Sequence, residues 1–187
     1  MSGHADHLGA EAARYVAETR RLNSIVSSTE ETFYPAIREL LTAVLRLQNL
    51  PFEVRTGTSE SKESGTDRPD FVLADSGLFV GVFGEIKKPD ATLEDIAVST
   101  ERDDQIGRYL SRTGVLLVNN VRGFGLLACA PGYARAQGTP VPPDQRELIA
   151  TVDLWSNASG KGAKLYIDPQ LDFARLCGVA ERLGHTF

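Results

Sequence analysis

The sequence predicts an α/β domain in which a mixed central sheet is flanked by helices. Three observations carry that prediction. AIRELLTAVLRL holds an apolar stripe at helical spacing, three short alternating or apolar runs suited to strands follow it, and a second helical segment then leads into two further apolar runs. The 187 residues suffice for one domain with a core and extensions, and are too few for two comfortable domains.

Residues 8–26 set Ala12, Val16 and Ala17 at helical spacing among Arg and Glu, which predicts a moderately amphipathic helix. In SSTEETFYPAIRELLTAVLRLQNLP, Ser27, Ser28 or Thr29 can cap a helix and Glu30 and Glu31 suit its positive end. Ile37, Leu40, Leu41, Val44 and Leu45 form its buried face. Proline is tolerated only in a first turn, so Pro35 places the regular helix near Tyr34 with Glu30 in or just before a kinked start. FEVRT (52–56) alternates as a short strand, and TSESKESGTDR (58–68) is a polar loop with nothing to bury. FVLAD, a Ser76-Gly77 turn and LFVGVFGEIKK make a β-hairpin that Pro89 ends. A helix is expected from about Glu101 to Ser111, closed by Gly114, followed by buried strands in GVLLVNN and GFGLLACA. Beyond the Pro/Gly-rich APGYARAQGTPVPPD, the spacing of Leu148, Ile149, Val152 and Trp155 predicts a helix at 145–155, and another is expected near 171–183. The chain thus divides into an N-terminal helical extension (1–28), a core (29–130) and a C-terminal loop with helices packing on that core (131–187).

Composition narrows the functional classes. With 42% apolar and 24% charged residues, and no apolar run near the ~20 residues of a membrane span, no membrane role is expected. The start, MSGHADHLGAEAARYVAETRRLN, lacks the regions of a secretory signal. Cys129 and Cys177 without CxxC spacing, beside three scattered histidines, predict neither a disulfide framework nor a zinc site. The expected location is a reducing cytoplasm. A net charge of -5 argues against a chain that binds polyanions over its whole surface, although a bound divalent ion offsets charge locally.

The chemistry-bearing residues gather at the margins of the apolar hairpin RPDFVLADSGLFVGVFGEIKKPD. Residues i and i+2 on a strand share a face, so Glu85 and Lys87 point the same way. With Ser76-Gly77 as a two-residue turn, Asp70 lies opposite Phe83 and one diagonal step, about 7–8 Å, from Glu85 on that face. A three-residue turn over 75–77 reverses the parity unless Gly81 or Gly84 forms a bulge. Two carboxylates, a strand carbonyl such as that of Ile86 and water suit an octahedral Mg2+, and a neighbouring lysine can orient the attacking water and offset charge on a phosphoryl group. Phosphodiester hydrolysis is the reaction this set favours.

Pro69-Asp70 followed by Glu85-Ile86-Lys87, in the order helix, three strands, helix, strand, resembles the PD-(D/E)xK nuclease superfamily and its restriction-endonuclease-like αβββαβ core. TEETFYPAIRELL, RPDFVL, GEIKKPD, QIGRYL and VLLVNNVRGFGLL resemble, over about residues 29–130, the N-terminal nuclease region of restriction-modification enzymes that fuse nuclease and adenine methyltransferase. The resemblance implies Asp70 and Glu85 as metal ligands with the Ile86 carbonyl, and Lys87 as the catalytic lysine. Glu30 matches the auxiliary acid of the first helix, with Glu31 beside it as the other choice. Gln105 matches a glutamine near the site, with Tyr109 one turn on along the same face.

The implied activity is a Mg2+-dependent DNA endonuclease, with Mn2+ substituting, that serves as the cleavage domain of a restriction-modification or phage-defence enzyme. Its partners would be double-stranded DNA, the methyltransferase or specificity domains of a larger polypeptide or complex, and transiently a second copy for double-strand cutting. No methyltransferase motif occurs in the sequence, so the resemblance implies a fragment or a stand-alone relative of that nuclease region. Arg55, Lys62, Arg68, Lys87, Arg102, Arg108, Arg112 and Arg122 can supply a basic rim, and 58–68 is the segment expected to order on DNA. A catalytically inactive docking module of the same fold, or a repair or junction nuclease, are the other readings.

Overall fold

The computed structural model describes residues 2–47, 49, 52–56, 68–75, 81–136 and 138–155. Helices α1 (Ser2–Asn23) and α2 (Tyr34–Leu47) come first. They are followed by strands β1 (Phe52–Thr56), β2 (Phe71–Asp75) and β3 (Gly81–Ile86). Helices α3 (Leu93–Val98) and α4 (Glu101–Thr113) lead to β4 (Val115–Asn119), β5 (Gly123–Cys129) and β6 (Arg146–Asp153). The six strands form one sheet in chain order, with every neighbouring pair antiparallel except β3 and β4. A parallel pair needs a crossover, which α3 and α4 provide.

Strand alternation sorts the core into two layers. Phe71, Leu73, Val82, Ile86, Val115 and Leu117 turn to a cluster with Ala12, Tyr15 and Val16 of α1 and the whole Ile37–Leu45 stripe of α2. Leu116, Val118 and Leu127 face the other way, onto Leu93 and Ile96 of α3 and Ile106, Tyr109 and Leu110 of α4. Every residue of β4 is buried, which is why its sequence reads as a continuous apolar run.

The expected helix at α2 begins at Tyr34, and Glu30–Phe33 form a 3-10 turn before it, as Pro35 requires. α1 runs from Ser2, well before the residue at which its periodicity becomes apparent. α3 has its own start signal: Thr92 and Asp95 bond each other's main-chain N–H groups at 3.0 and 3.2 Å. Among the described residues, no helix is long and apolar enough to cross a membrane.

Two expectations are corrected. Residues 146–153 are a strand rather than part of a helix over 145–155. Ile149, Thr151 and Asp153 turn out while Leu148, Ala150 and Val152 turn toward the layers, and the open edge of β5 takes the segment as an antiparallel neighbour. The helix expected near 171–183, the loop at 58–68 apart from Arg68, and Cys177 lie outside the described residues.

The second correction concerns register. Val72, not Asp70, stands opposite Phe83, and the pairing runs without a bulge from Ala74–Gly81 to Phe71–Gly84. The two strands therefore meet two residues further along than a Ser76-Gly77 turn allows. Residues 76–80, including that turn, lie outside the described residues. The Phe71 ring covers Gly84, where an added Cβ would come 2.1 Å from Phe71 Cζ, so only glycine can stand opposite this phenylalanine. Gly84→Ala is accordingly expected to destabilise the protein by about 1–3 kcal/mol, read as a lower urea midpoint, and an unchanged midpoint would contradict the packing.

Candidate active site

The two-residue displacement preserves parity. The ladder ends at the Phe71–Gly84 pair, and its register continued one step sets Asp70, just before β2, opposite Glu85 at the carboxyl end of β3. Asp70 Oδ2 accepts the Ile86 N–H at 2.7 Å, and Oδ1 accepts the Tyr34 hydroxyl. The carboxylate is thus pinned between its neighbouring strand and the start of α2.

Glu85 is 1% exposed, and its Oε1 accepts Lys87 Nζ at 2.9 Å. Lys87 is also held by its main chain, whose N–H donates to the Asn119 carbonyl at 2.8 Å. Asn119 is fully buried, with Oδ1 accepting the Val121 N–H and Nδ2 donating to the Gly123 carbonyl, both at 2.8 Å. These bonds shape the β4–β5 turn, where Val121 adopts a left-handed φ of 66° and its carbonyl accepts the Tyr15 hydroxyl at 2.7 Å.

Sequence reasoning used Tyr34 only as a helix start and missed its contact with Asp70. The signal was its place immediately before Pro35, since the first turn of α2 must project toward whatever lies at the sheet end. Burial pushes the Tyr34 hydroxyl well above the ordinary tyrosine range, and the Asp70 hydrogen bond and the charges of Asp70, Glu31 and Glu85 push it further. It is a protonated donor at any physiological pH. Of the two glutamates in the 3-10 turn, Glu31 is exposed and adds to the negative charge acting on Tyr34, while Glu30 is half-buried.

Gln105 and Tyr109 are buried on α4, one turn apart, and Gln105 Nε2 donates to the Tyr109 hydroxyl at 2.6 Å. The Tyr109 ring meets Phe83 edge-on with centroids 5.4 Å apart, and Phe83 lies two residues before Glu85 on the same strand face. Gln105 is therefore joined through Tyr109 to the strand that carries Glu85. Of the expected basic rim, Arg68 and Arg122 are exposed and Arg55, Arg108 and Arg112 are half-buried, with Arg55 3.3 Å from Glu53. Lys62 and the side chain of Arg102 lie outside the described residues.

The donor set decides which metal suits this place. Among the described residues no three His, Cys, Asp or Glu side chains converge. Asp70 and Glu85 offer carboxylate oxygens and Ile86 a main-chain carbonyl, all hard ligands. Magnesium is the divalent ion that takes one or two carboxylates and fills the rest of its octahedron with water and phosphate oxygens, so the residues fit it. Comparison with protein-family models, with curated proteins and with solved structures finds no match for this chain.

Proposed function

We propose that this chain is a Mg2+-dependent DNA endonuclease domain of restriction-endonuclease-like fold, the cleavage part of a restriction-modification or phage-defence enzyme. The observation that carries the reading is the meeting of Asp70 and Glu85 at adjoining strand positions with Lys87 bonded to Glu85. The order α2, β1, β2, β3, a crossover of α3 and α4, then β4, with β1–β3 antiparallel and β4 parallel to β3, supports it. Double-stranded DNA is the substrate, site recognition comes from methyltransferase or specificity domains, and a second copy cuts the other strand.

Asp70, Glu85 and the Ile86 carbonyl would hold Mg2+, which when bound supplies a Lewis acid for the scissile phosphate and acidifies water. Lys87, steadied by Glu85 and by the Asn119 carbonyl, keeps an ammonium where negative charge builds on the phosphoryl oxygens. The water oxygen forms a new P–O bond while the bond to the leaving strand end breaks, giving one phosphate-bearing end and one hydroxyl end. Tyr34 is a positioning residue: it donates to Asp70 Oδ1 and leaves the chemistry to others.

Plasmid DNA incubated with the protein in Mg2+, beside Asp70→Asn and Lys87→Ala, tests the proposal. Cleavage that persists undiminished in both variants would sink it. Tyr34→Phe is expected to raise the Mg2+ concentration for half-maximal cleavage about 10-fold with a smaller change in the maximal rate, because a partner behind a ligand governs metal affinity. A purely structural tyrosine would leave that titration midpoint in place. The reading of an inactive docking module is favoured by one observation: Asp70 and Glu85 already have protein partners, and one of them, the Ile86 N–H, lets Asp70 tie the two strands of the hairpin together. Wild-type inactivity together with no divalent-ion heat in calorimetry would select it.

A further inference from the structure

We infer that a cavity between α1 and the segment behind β3 binds a nucleotide through its phosphate ester, either as a free nucleotide or as the end of a DNA strand. The inference goes beyond the cleavage chemistry and does not depend on it. The cavity is about 630 Å³, inside the roughly 300–1,000 Å³ range of small-molecule sites and far larger than one inorganic anion needs.

Its charge is the first argument. Arg20 reaches it from α1, Lys88 from just beyond β3, and Arg122, which stands 3.8 Å from Asp153, from the β4–β5 turn, with one lining carboxylate, Asp90. These three cations stand against a single lining carboxylate, so the local charge is opposite in sign to the -5 of the whole chain. Guanidinium and ammonium groups converging from different directions match the several oxygens of a phosphate ester.

Prior organisation is the second. Arg20 Nη2 donates to the Trp155 carbonyl at 2.9 Å, and its guanidinium carbon stands 5.6 Å from the centroid of the Trp155 ring. The indole is itself fixed, with Nε1 donating to Oγ1 of the fully buried Thr19 at 3.1 Å. The Arg122 carbonyl accepts the N–H groups of Leu154 and Trp155 at 2.9 and 3.2 Å, which ties the cation-bearing turn to the aromatic wall.

The wall is the third argument, and it selects a nucleotide over a bare anion. An arginine held over an indole at cation–π distance offers planar groups against which a nucleobase can stack, and the Asn23 amide and Asp90 carboxylate offer partners for a base edge or sugar hydroxyl.

Trp155 is the only tryptophan in the chain, so fluorescence excited at the red edge, where tyrosine does not absorb, reports on this cavity. The full chain, in EDTA, is titrated with deoxyadenosine 5′-monophosphate, a short 5′-phosphorylated single-stranded oligonucleotide, deoxyadenosine and inorganic phosphate. A saturable change with the monophosphate or the oligonucleotide is expected, and none of comparable affinity with the nucleoside or the inorganic ion. Response to the monophosphate identifies a free nucleotide as sufficient, and response to the oligonucleotide alone identifies the strand. Lys88→Ala and Arg122→Ala, both at exposed positions, should each raise Kd about tenfold, whereas Asp70→Asn should leave it unchanged. Since Asp70→Asn removes the proposed cleavage but not this binding, failure of either idea is read separately. No response to either phosphate ester, equal affinity for inorganic phosphate, or undiminished binding by the Lys88→Ala/Arg122→Ala double variant would overturn the inference.

Discussion

Asp70→Asn is expected to lower Mg2+-dependent plasmid cleavage by about 10²–10³-fold while leaving the urea midpoint close to that of the wild type. The substitution keeps the size of the side chain and an oxygen that can accept the Ile86 N–H, so the strand contact survives. It removes the negative charge, which is the property a divalent ion needs. Lys87→Ala should reduce cleavage by a similar factor but carries a stability penalty, because Glu85 is 1% exposed and loses the cation bonded to its Oε1. Adding Glu85→Gln removes the buried charge and should return much of that stability without returning activity. Stability and cleavage recovering together in the double variant would show that Lys87 matters only as the counter-ion of Glu85.

The largest loss of stability is expected at the other end of the sheet. The side chain of Arg146 is 0% exposed and grips four neighbours. Its Nε donates to the Val141 carbonyl at 2.8 Å, Nη1 to the carbonyls of Ala97 and Ser99 at 3.2 and 2.8 Å, and Nη2 to Asp104 Oδ2 at 2.5 Å. One guanidinium thereby joins α3, α4, β6 and the loop before it. Gly107 lets the grip close, since a Cβ there would stand 2.5 Å from Asp104 Oδ2 and 2.7 Å from Arg146 Nη2. Removing one member of a buried ion pair costs about 3–5 kcal/mol, so Arg146→Ala should lose a large share of the roughly 5–15 kcal/mol that stabilises a domain. Chemical denaturation checks this. Arg146→Lys should rescue little, because a point charge cannot reach four acceptors in different directions.

Much of the fold was legible because local rules and tertiary packing agreed. The α2 stripe, the Pro35 boundary, the Gly114 stop and the apolar β4 run each state a local preference that the sheet then uses. Residues 146–153 were not legible. Leu148, Ile149 and Val152 satisfy a helical template by chance, and only the free edge of β5 decides for a strand. The TLED start of α3 was readable and passed over. In the candidate site, the i, i+2 placing of Glu85 and Lys87 follows from strand geometry alone. The position of Asp70 depended on a register set by how the Phe71 ring fits against Gly84, a contact between side chain and bare backbone that spacing cannot express. Tyr34 reaches Asp70 from another layer, and nothing local links it to the hairpin.

Asn119 has a consequence for anyone wishing to move this arrangement into another scaffold. Its main-chain oxygen fixes the backbone of Lys87, and its side chain fixes the turn from which Arg122 projects into the cavity. Grafting Asp70, Glu85 and Lys87 alone would transplant the letters of a motif without their frame. The smallest portable unit runs from β2 through the β4–β5 turn, and it brings Lys88 and Arg122 along with the carboxylates while leaving Arg20 and Trp155, the other side of the cavity, behind.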